Sequence, residues 1–259
     1  MSAEKYVRPS ELPLPPTIPL YKFAQSIYPD LVLSLHADDA MYWGNATHYL
    51  SAGASAIDII NGVQSIASVP DFKSILDFGS GAGRVTRWLR AAYPQSIITA
   101  ADIRAEDLDF VAATFKALTW NPGIDFTDME PPGQYDLIWA GSVLTHLSIS
   151  NTRLLLEKVM QWSNVGGIAV LSFHGRSAYS WRRKLKYIDH DLLPPIEEQY
   201  EATGFGYSNY RGQSSYGISF CTPAWMVAQT ATIENCRVIS ISERVWDNHH
   251  DIIALQRMS

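Results

Sequence analysis

Cysteine is scarce in this chain. Cys221 and Cys236 are the only two, too few for a disulfide framework, and no cysteine pair has zinc-finger spacing. That usage suits a cytosolic, cytoplasmic protein. Charge is also sparse, at 18% of residues against about a quarter in an average domain, which points to a large apolar interior or large apolar contact surfaces. Basic charge is not in excess: 20 Lys and Arg face 26 Asp and Glu, for a net charge of −6. A global field for DNA or RNA is absent, so no nucleic-acid partner is expected. No apolar run is long enough for a membrane span, since the longest uncharged stretch, 212–233, is dotted with Ser, Thr, Gln and Pro. The first twenty residues hold Glu4, Lys5, Arg8 and Glu11 without the apolar core of a secretory signal. Internal repeats are absent as well.

What is present is 259 residues, 47% of them hydrophobic. This suits one large α/β domain, or one domain with insertions and a small cap. Pro9, Pro13, Pro15, Pro16 and Pro19 crowd the N-terminal arm. That density forbids helix and favours extended backbone, so a strap is expected, packed on the body or on a second copy of the chain as a homodimer partner. Further on, Ile57, Ile60, Val63 and Ile66 recur every third residue and predict a helix over 54–66, stopped by Pro70 and Asp71.

From Ser74 strands and helices alternate. Residues 74–78 form a short apolar run followed by Gly79-Ser-Gly-Ala-Gly83, and a helix over 84–93 ends at Pro94. A second strand, 96–101, ends at Asp102. The next helix, 105–117, opens with Glu106, Asp107 and Asp109, acids that complement a helix N-terminus. Strands follow near 118–121, at 135–140 and at 167–173, with a helix over 153–162 before the last. Such near-continuous apolar strands predict a parallel sheet covered on both faces. The stretch 177–217 reads as a lid or insertion. A helix over 222–233 starts with Pro223 near its N-terminus. Strands at 237–241 and 251–256 then form an antiparallel hairpin across a turn at 247–250. The expected organisation is a strap and helical preface (1–50), a cofactor-binding core (51–176), a lid (177–217), and a C-terminal helix with a strand pair completing the core (218–259).

Open parallel sheets bind ligands outside the carboxyl ends of their strands. Gly79, Gly81 and Gly83 lie at such an end, and Asp102 ends the next strand, 19 residues after Gly83. A carboxylate there can accept hydrogen bonds from both hydroxyls of a ribose. A dinucleotide loop of the form GxGxxG would need a third glycine at position 84, where Arg84 stands. Residues 75–84, Ile-Leu-Asp-Phe-Gly-Ser-Gly-Ala-Gly-Arg, instead resemble the first motif of class I S-adenosylmethionine-dependent methyltransferases. Asp102 matches the ribose-binding acid of that family, and the terminal strand pair matches its antiparallel hairpin. The resemblance covers roughly 50–257. Residues 141–147, 216–220 and 246–253 further look like a bacterial small-molecule branch often found beside sugar and polysaccharide genes.

The resemblance implies an α/β three-layer sandwich of Rossmann-like type, with a seven-stranded, mostly parallel sheet whose last strand is antiparallel. It implies S-adenosylmethionine as cofactor and S-adenosylhomocysteine as product. Asp77 and the loop Gly79, Ser80, Gly81 and Gly83, with Arg84 closing the motif, would hold the methionine end. Asp102 would bind the ribose and Ile103 would pack on the adenine. Asn121 or Asp128 would reach the adenine edge, and Gly141 and Ser142 would line the sulfonium.

Methyl transfer from a sulfonium mainly requires the protein to position an acceptor, which in a hydroxyl case also needs a base. His146, after the fourth strand, is the first candidate and His174, after the fifth, the second; a structural pin for the loop is the competing role for His146. His249 and His250 are weaker candidates. Methyltransferases of adenine or glutamine nitrogens carry an Asn- or Asp-Pro-Pro-aromatic turn after the fourth strand, where this chain has Ala140-Gly-Ser-Val. Glu130-Pro-Pro-Gly133 lies before that strand and reads as a turn. A small-molecule or sugar acceptor, O-methylated, is the expectation.

Thr145, Tyr207 and Tyr216 are candidate substrate contacts, and Tyr200, Phe205 and Tyr210 either join them in a pocket or form the core of the lid. Arg176, Arg182, Arg183, Lys184 and Lys186, interleaved with Tyr179, Trp181 and Tyr187, form either a solvated helix face or a grip for an anionic ligand. Cys221 reads as a core cysteine. No metal site is expected, since His249/His250 and Asp38/Asp39 are adjacent pairs that point to different faces if extended. Two other readings stay open: an NAD(P)-dependent oxidoreductase, and a catalytically silent subunit that binds S-adenosylmethionine.

Overall fold

Each predicted strand carries two apolar sets, one for each face of a sheet, and the architecture follows from that. The structure, a computed structural model, describes residues 10–11, 22–185 and 188–259. Its first elements are α1 (Lys22–Ile27) and α2 (Ala46–Ala67). Then come β1 (Ser74–Phe78), α3 (Thr86–Ala92), β2 (Ile97–Ala101), α4 (Ala105–Phe115), β3 (Leu118–Trp120) and β4 (Tyr135–Ala140). They are followed by α5 (Ile149–Trp162), β5 (Ser163–Phe173), α6 (Arg176–Trp181), α7 (Leu193–Thr203), β6 (Phe205–Asn209) and β7 (Gly217–Cys221). The last elements are α8 (Pro223–Thr230), β8 (Cys236–Trp246) and β9 (His250–Arg257).

Seven strands form one sheet in the order β3-β2-β1-β4-β5-β9-β8. The first five are parallel, and β9 runs antiparallel to both β5 and β8. This is the seven-stranded, mostly parallel arrangement the sequence implied. Side chains alternate between faces as the strand period requires. Ile75, Leu137, Val170 and Ile252 join the core under α2, α3 and α4. Their neighbours Leu76, Ile138, Leu171 and Ile253 join the core under α5 and α8. A one-residue slip in any of these strands would exchange the two sets, so the register is tightly fixed.

Two helices start earlier than their apolar stripes suggest, because a cap lies upstream. The Asn45 side chain accepts from the His48 amide at 3.0 Å and starts α2 at Ala46. Ser148 accepts from the Asn151 amide and starts α5 at Ile149. The boundary expected at residues 50 and 51 therefore falls inside α2. The preface shares the core of the body, since Ala24, Leu35 and Tyr42 pack into the cluster with Trp88 and Leu89. The proline strap lies outside the described residues, apart from Ser10, whose carbonyl accepts from the Leu35 amide, and Glu11, which bridges Ser34.

The stretch read as a lid folds around its own small core of Ala178, Ile188, Leu193, Ile196, Ile218 and Phe220. β6 and β7 pair there as a separate antiparallel ribbon. The basic run is engaged within the chain. Arg182 and Arg183 both pair with Glu197 of α7, and Arg176 pairs with Glu243 of β8. Arg182 also lies 3.9 Å above the Tyr179 ring. These pairs hold α6 against α7 and leave those three arginines no free grip on an anion. Lys186 and Tyr187 lie outside the described residues.

Candidate active site

The glycine loop is built by the ends of β1 and β2. The amides of Gly79 and Ser80 both donate to the Ala101 carbonyl, at 2.8 and 3.0 Å. Gly79 and Gly83 take φ values of +80° and +85°, and a Cβ at either would strike a neighbour, Val143 or Phe115. Asp102 reaches back to this loop. One carboxylate oxygen accepts from the Gly81 amide at 2.8 Å and the other from the Arg104 amide at 3.1 Å. Asp77 is buried below the loop and accepts from the Thr86 hydroxyl at 2.6 Å. Burial, and the nearby Asp102 charge to a smaller degree, push the Asp77 carboxyl up to about 7, against the pull of Thr86.

The loop is open at Gly81. No atom lies within 4 Å of where a Gly81 Cβ would stand. Ile103, next to Asp102, is 55% exposed, an apolar platform facing outward. Asn121 donates to the Ile103 carbonyl and accepts from the Gly123 amide, so it belongs to this edge. Asp128 is exposed, and its amide donates to Asp125 within its own turn. No contact brings it to Ile103 or Asp102 among the described residues. Of the two candidates for the adenine edge, the geometry favours Asn121. Arg84 leaves the loop towards the C-terminal hairpin and lies over the Trp246 ring, 5.6 Å from its centroid.

The turn after β4 is held just as firmly. Gly141 sits against the Trp139 and Trp246 rings. Ser142 adopts φ +62°, and its amide donates to the Ser172 hydroxyl at 2.7 Å. Thr145 is fully buried, and its hydroxyl donates to the Ser142 carbonyl at 2.7 Å. It therefore pins the turn from inside instead of presenting itself to a substrate.

His146 ends a short 3-10 turn, Leu144–His146, which β7 holds through a Ser219 hydroxyl donated to the Leu144 carbonyl. His146 Nδ1 lies 2.9 Å from the Gly217 carbonyl and 3.2 Å from the Tyr210 hydroxyl. A carbonyl can only accept, so Nδ1 carries the hydrogen and Nε2 keeps the lone pair of the neutral ring. Tyr216 stacks on the imidazole at 4.8 Å, with Tyr210 tilted beside it. Burial lowers the His146 pKa, partly offset by the Gly217 hydrogen bond. Tyr207 is placed elsewhere on the ribbon. Its hydroxyl donates to Asn209, and it packs on the side of Phe205 and Trp225.

His174 is 3% exposed, and its Nδ1 faces the Ser219 carbonyl at 3.1 Å. Burial drives its pKa down to about 3, so it is a weak proton acceptor near neutrality. Cys221 is buried, with its thiol pushed up by burial, which matches a core cysteine. One premise of the sequence reading fails. His249 follows the left-handed turn of Asp247 and Asn248, at φ +48° and +59°, and its ring centroid lies 4.0 Å from that of His250, so the two rings do not diverge to opposite faces. Both rings reach His174, with centroids 6.0 and 5.0 Å away. Of the two roles open to Tyr210, pocket wall or lid core, its contact with His146 fits the first, and that contact spans 64 residues that no periodicity encodes.

Comparison with known proteins agrees with this fold. The family described as a methyltransferase domain matches residues 76–169. No curated protein sequence matches the chain. Among solved structures, the plantazolicin methyltransferase BamL, determined with a triazolic desmethylPZN analog and S-adenosylhomocysteine, superposes with a TM-score of 0.57 at 9% identity, over 81% of this chain and 86% of that one. An S-adenosylmethionine-dependent methyltransferase from Clostridium acetobutylicum gives 0.53 at 12% identity, over 79% and 92%. An O-methyltransferase family protein from Burkholderia thailandensis gives 0.51 at 11% identity, over 84% of this chain but only 61% of its own length. At such identities the likeness is one of fold. The matched segment is that of a methyltransferase domain, and the fold is one that S-adenosylmethionine-dependent methyltransferases of known structure adopt. Among the described residues, no helix is long and apolar enough to cross a membrane.

Proposed function

We propose that the chain O-methylates a small-molecule or glycan-type hydroxyl, with His146 as the general base. Bound S-adenosylmethionine supplies an activated methyl carbon, whose bond to sulfur breaks as the acceptor oxygen attacks, leaving S-adenosylhomocysteine. Asp102 and the Gly79–Gly83 loop, joined at the carboxyl ends of β1 and β2, would hold the nucleoside. Ser142 and Gly141, at the end of β4, border the reacting end. His146 stands beyond them, with Nδ1 fixed on Gly217 and the lone pair on Nε2, so it can take the hydroxyl proton as the new bond forms. Tyr210 and Tyr216 wall the acceptor side with rings suited to a sugar face.

The observation that carries this reading is the His146–Gly217 hydrogen bond, which sets the tautomer a base requires. The test is an acceptor screen scored by S-adenosylhomocysteine release, followed by His146→Ala on the best acceptor. General bases contribute roughly 10²–10⁴-fold, so kcat should fall within that range while calorimetric affinity for S-adenosylmethionine is unchanged. Unaltered turnover would remove His146 from the chemistry.

A further inference from the structure

The carboxyl end of β5 meets the start of β9 in a cluster of imidazoles. The register pairs Phe173 with Asp251, which sets His174 beside His250 just past the end of the ladder. The left-handed turn at Asp247 and Asn248 brings His249 to the same place. Each of the three histidines offers one nitrogen, and these nitrogens all lie within 4.8 Å of one another.

Two of the rings are oriented by backbone. His174 Nδ1 lies 3.1 Å from the Ser219 carbonyl, and His249 Nδ1 lies 2.6 Å from the Asp247 carbonyl. Each Nδ1 therefore carries its hydrogen, and each neutral ring keeps its lone pair on Nε2. This is the outer-shell arrangement that orients histidine ligands of metals. The third ring supplies an independent sign. His250 is buried, and its Nδ1 has no hydrogen-bond partner. A buried polar atom without a partner is uncommon and calls for a ligand or a reason.

We propose that His174, His249 and His250 bind one divalent transition cation of the zinc type. The donor set chooses the ion. Magnesium and calcium want oxygen ligands, and the cluster contains no carboxylate. Imidazole suits zinc, nickel and copper. Arg84, whose positive charge bears on His250, opposes any cation held by charge alone and leaves coordination as the source of affinity. Zinc–nitrogen bonds of about 2.0–2.1 Å put tetrahedral nitrogens about 3.4 Å apart, so a pair at the 4.8 Å limit must close by about 1.4 Å. His249, the least buried of the three and carried on a turn, is the ring that can move. Three protein nitrogens leave a fourth position for water or another oxygen. The cluster borders the turn after β4, since the Trp246 ring that stacks on His250 also meets Gly141 and Arg84, and the proposal does not rest on the proposed acceptor.

The test uses untagged full-length protein, stripped with EDTA and dialysed. Zinc chloride is titrated by calorimetry, and cobalt(II) by its visible ligand-field absorption. The expected result is saturable uptake of one ion per chain, ligand-field bands of nitrogen-bound cobalt, and a zinc-dependent rise in Tm. His249→Ala should weaken zinc binding at least about tenfold without changing the Tm of the metal-free protein, and His174→Asn should weaken binding by a similar factor where it folds. His190→Ala, on an exposed histidine in the lid, should change nothing. Absence of saturable uptake overturns the site, as does full affinity in His249→Ala.

Discussion

Asp102 makes two backbone hydrogen bonds before any ligand arrives, to Gly81 and to Arg104. The same carboxylate is the group expected to receive the ribose, so its removal acts twice. A charged hydrogen bond is worth about 1.5–3 kcal/mol, so Asp102→Ala should weaken S-adenosylmethionine binding by about tenfold or more. Calorimetry checks this, and unchanged affinity would count against the ribose assignment. His146 gives the pH counterpart. A base acts only when unprotonated, so turnover falls as pH drops through its pKa. Burial holds that pKa below the ordinary 6.5. The acid limb of kcat/KM, which reports the free enzyme, should therefore lie below pH 6.5 in the wild type and be missing from the residual activity of His146→Ala. A limb at or above 6.5 would point to another group.

At the scale of elements, the glycine loop separates packing from ligand contact. A Cβ at Gly83 would stand 2.5 Å from a Phe115 ring carbon, at φ +85°. Overpacking alone costs about 1–3 kcal/mol, and left-handed backbone adds about 1–2 kcal/mol. A Cβ at Gly81 meets nothing within 4 Å. Gly83→Ala should lower the urea midpoint clearly, whereas Gly81→Ala should cost less stability and show its main effect in cofactor affinity. The reverse pattern would mean that Gly81 does not face the ligand. Much of this loop was legible in the sequence. A continuous apolar run, three glycines, a helix and an acid ending the next strand can meet in few ways, and β1 and β4 have the predicted bounds. The starts of α2 and α5 were not legible from periodicity, because Asn45 and Ser148 cap upstream of the apolar stripes. The histidine cluster was hidden for a different reason. Adjacent side chains alternate only on extended backbone, and here a left-handed turn at Asp247 and Asn248 precedes the pair, whose ring centroids lie 4.0 Å apart. The Tyr210–His146 contact depends on how a separate ribbon docks, which local sequence does not encode.

At the scale of the whole molecule, the question is how the preface is held to the sheet. Arg87 of α3 is fully buried, a costly place for a permanent charge unless its donors are used. Its guanidinium donates to the carbonyls of Val32 and Ser34 and to the Tyr49 hydroxyl, at 2.8, 3.2 and 3.3 Å. The Tyr49 hydroxyl donates in turn to Asp39 at 2.6 Å. The loop before α2, the helix α2 and the helix after the glycine loop are thus joined by one side chain, which also lies over the Tyr49 and Phe115 rings. Removing it takes the donor from the Val32 and Ser34 carbonyls, both part-buried contacts, and from the buried Tyr49 hydroxyl. Since hydrogen bonds to a charged group are worth about 1.5–3 kcal/mol, Arg87→Leu should destabilise the chain by at least about 2 kcal/mol in urea. Limited proteolysis should then open first within residues 31–45. The opening should be local at low denaturant, because the sheet keeps its own two cores while the preface loses its anchor. Unchanged stability together with unchanged cleavage would mean that apolar packing of Leu35, Tyr42 and Tyr49 alone fixes the preface, with the buried arginine incidental to it.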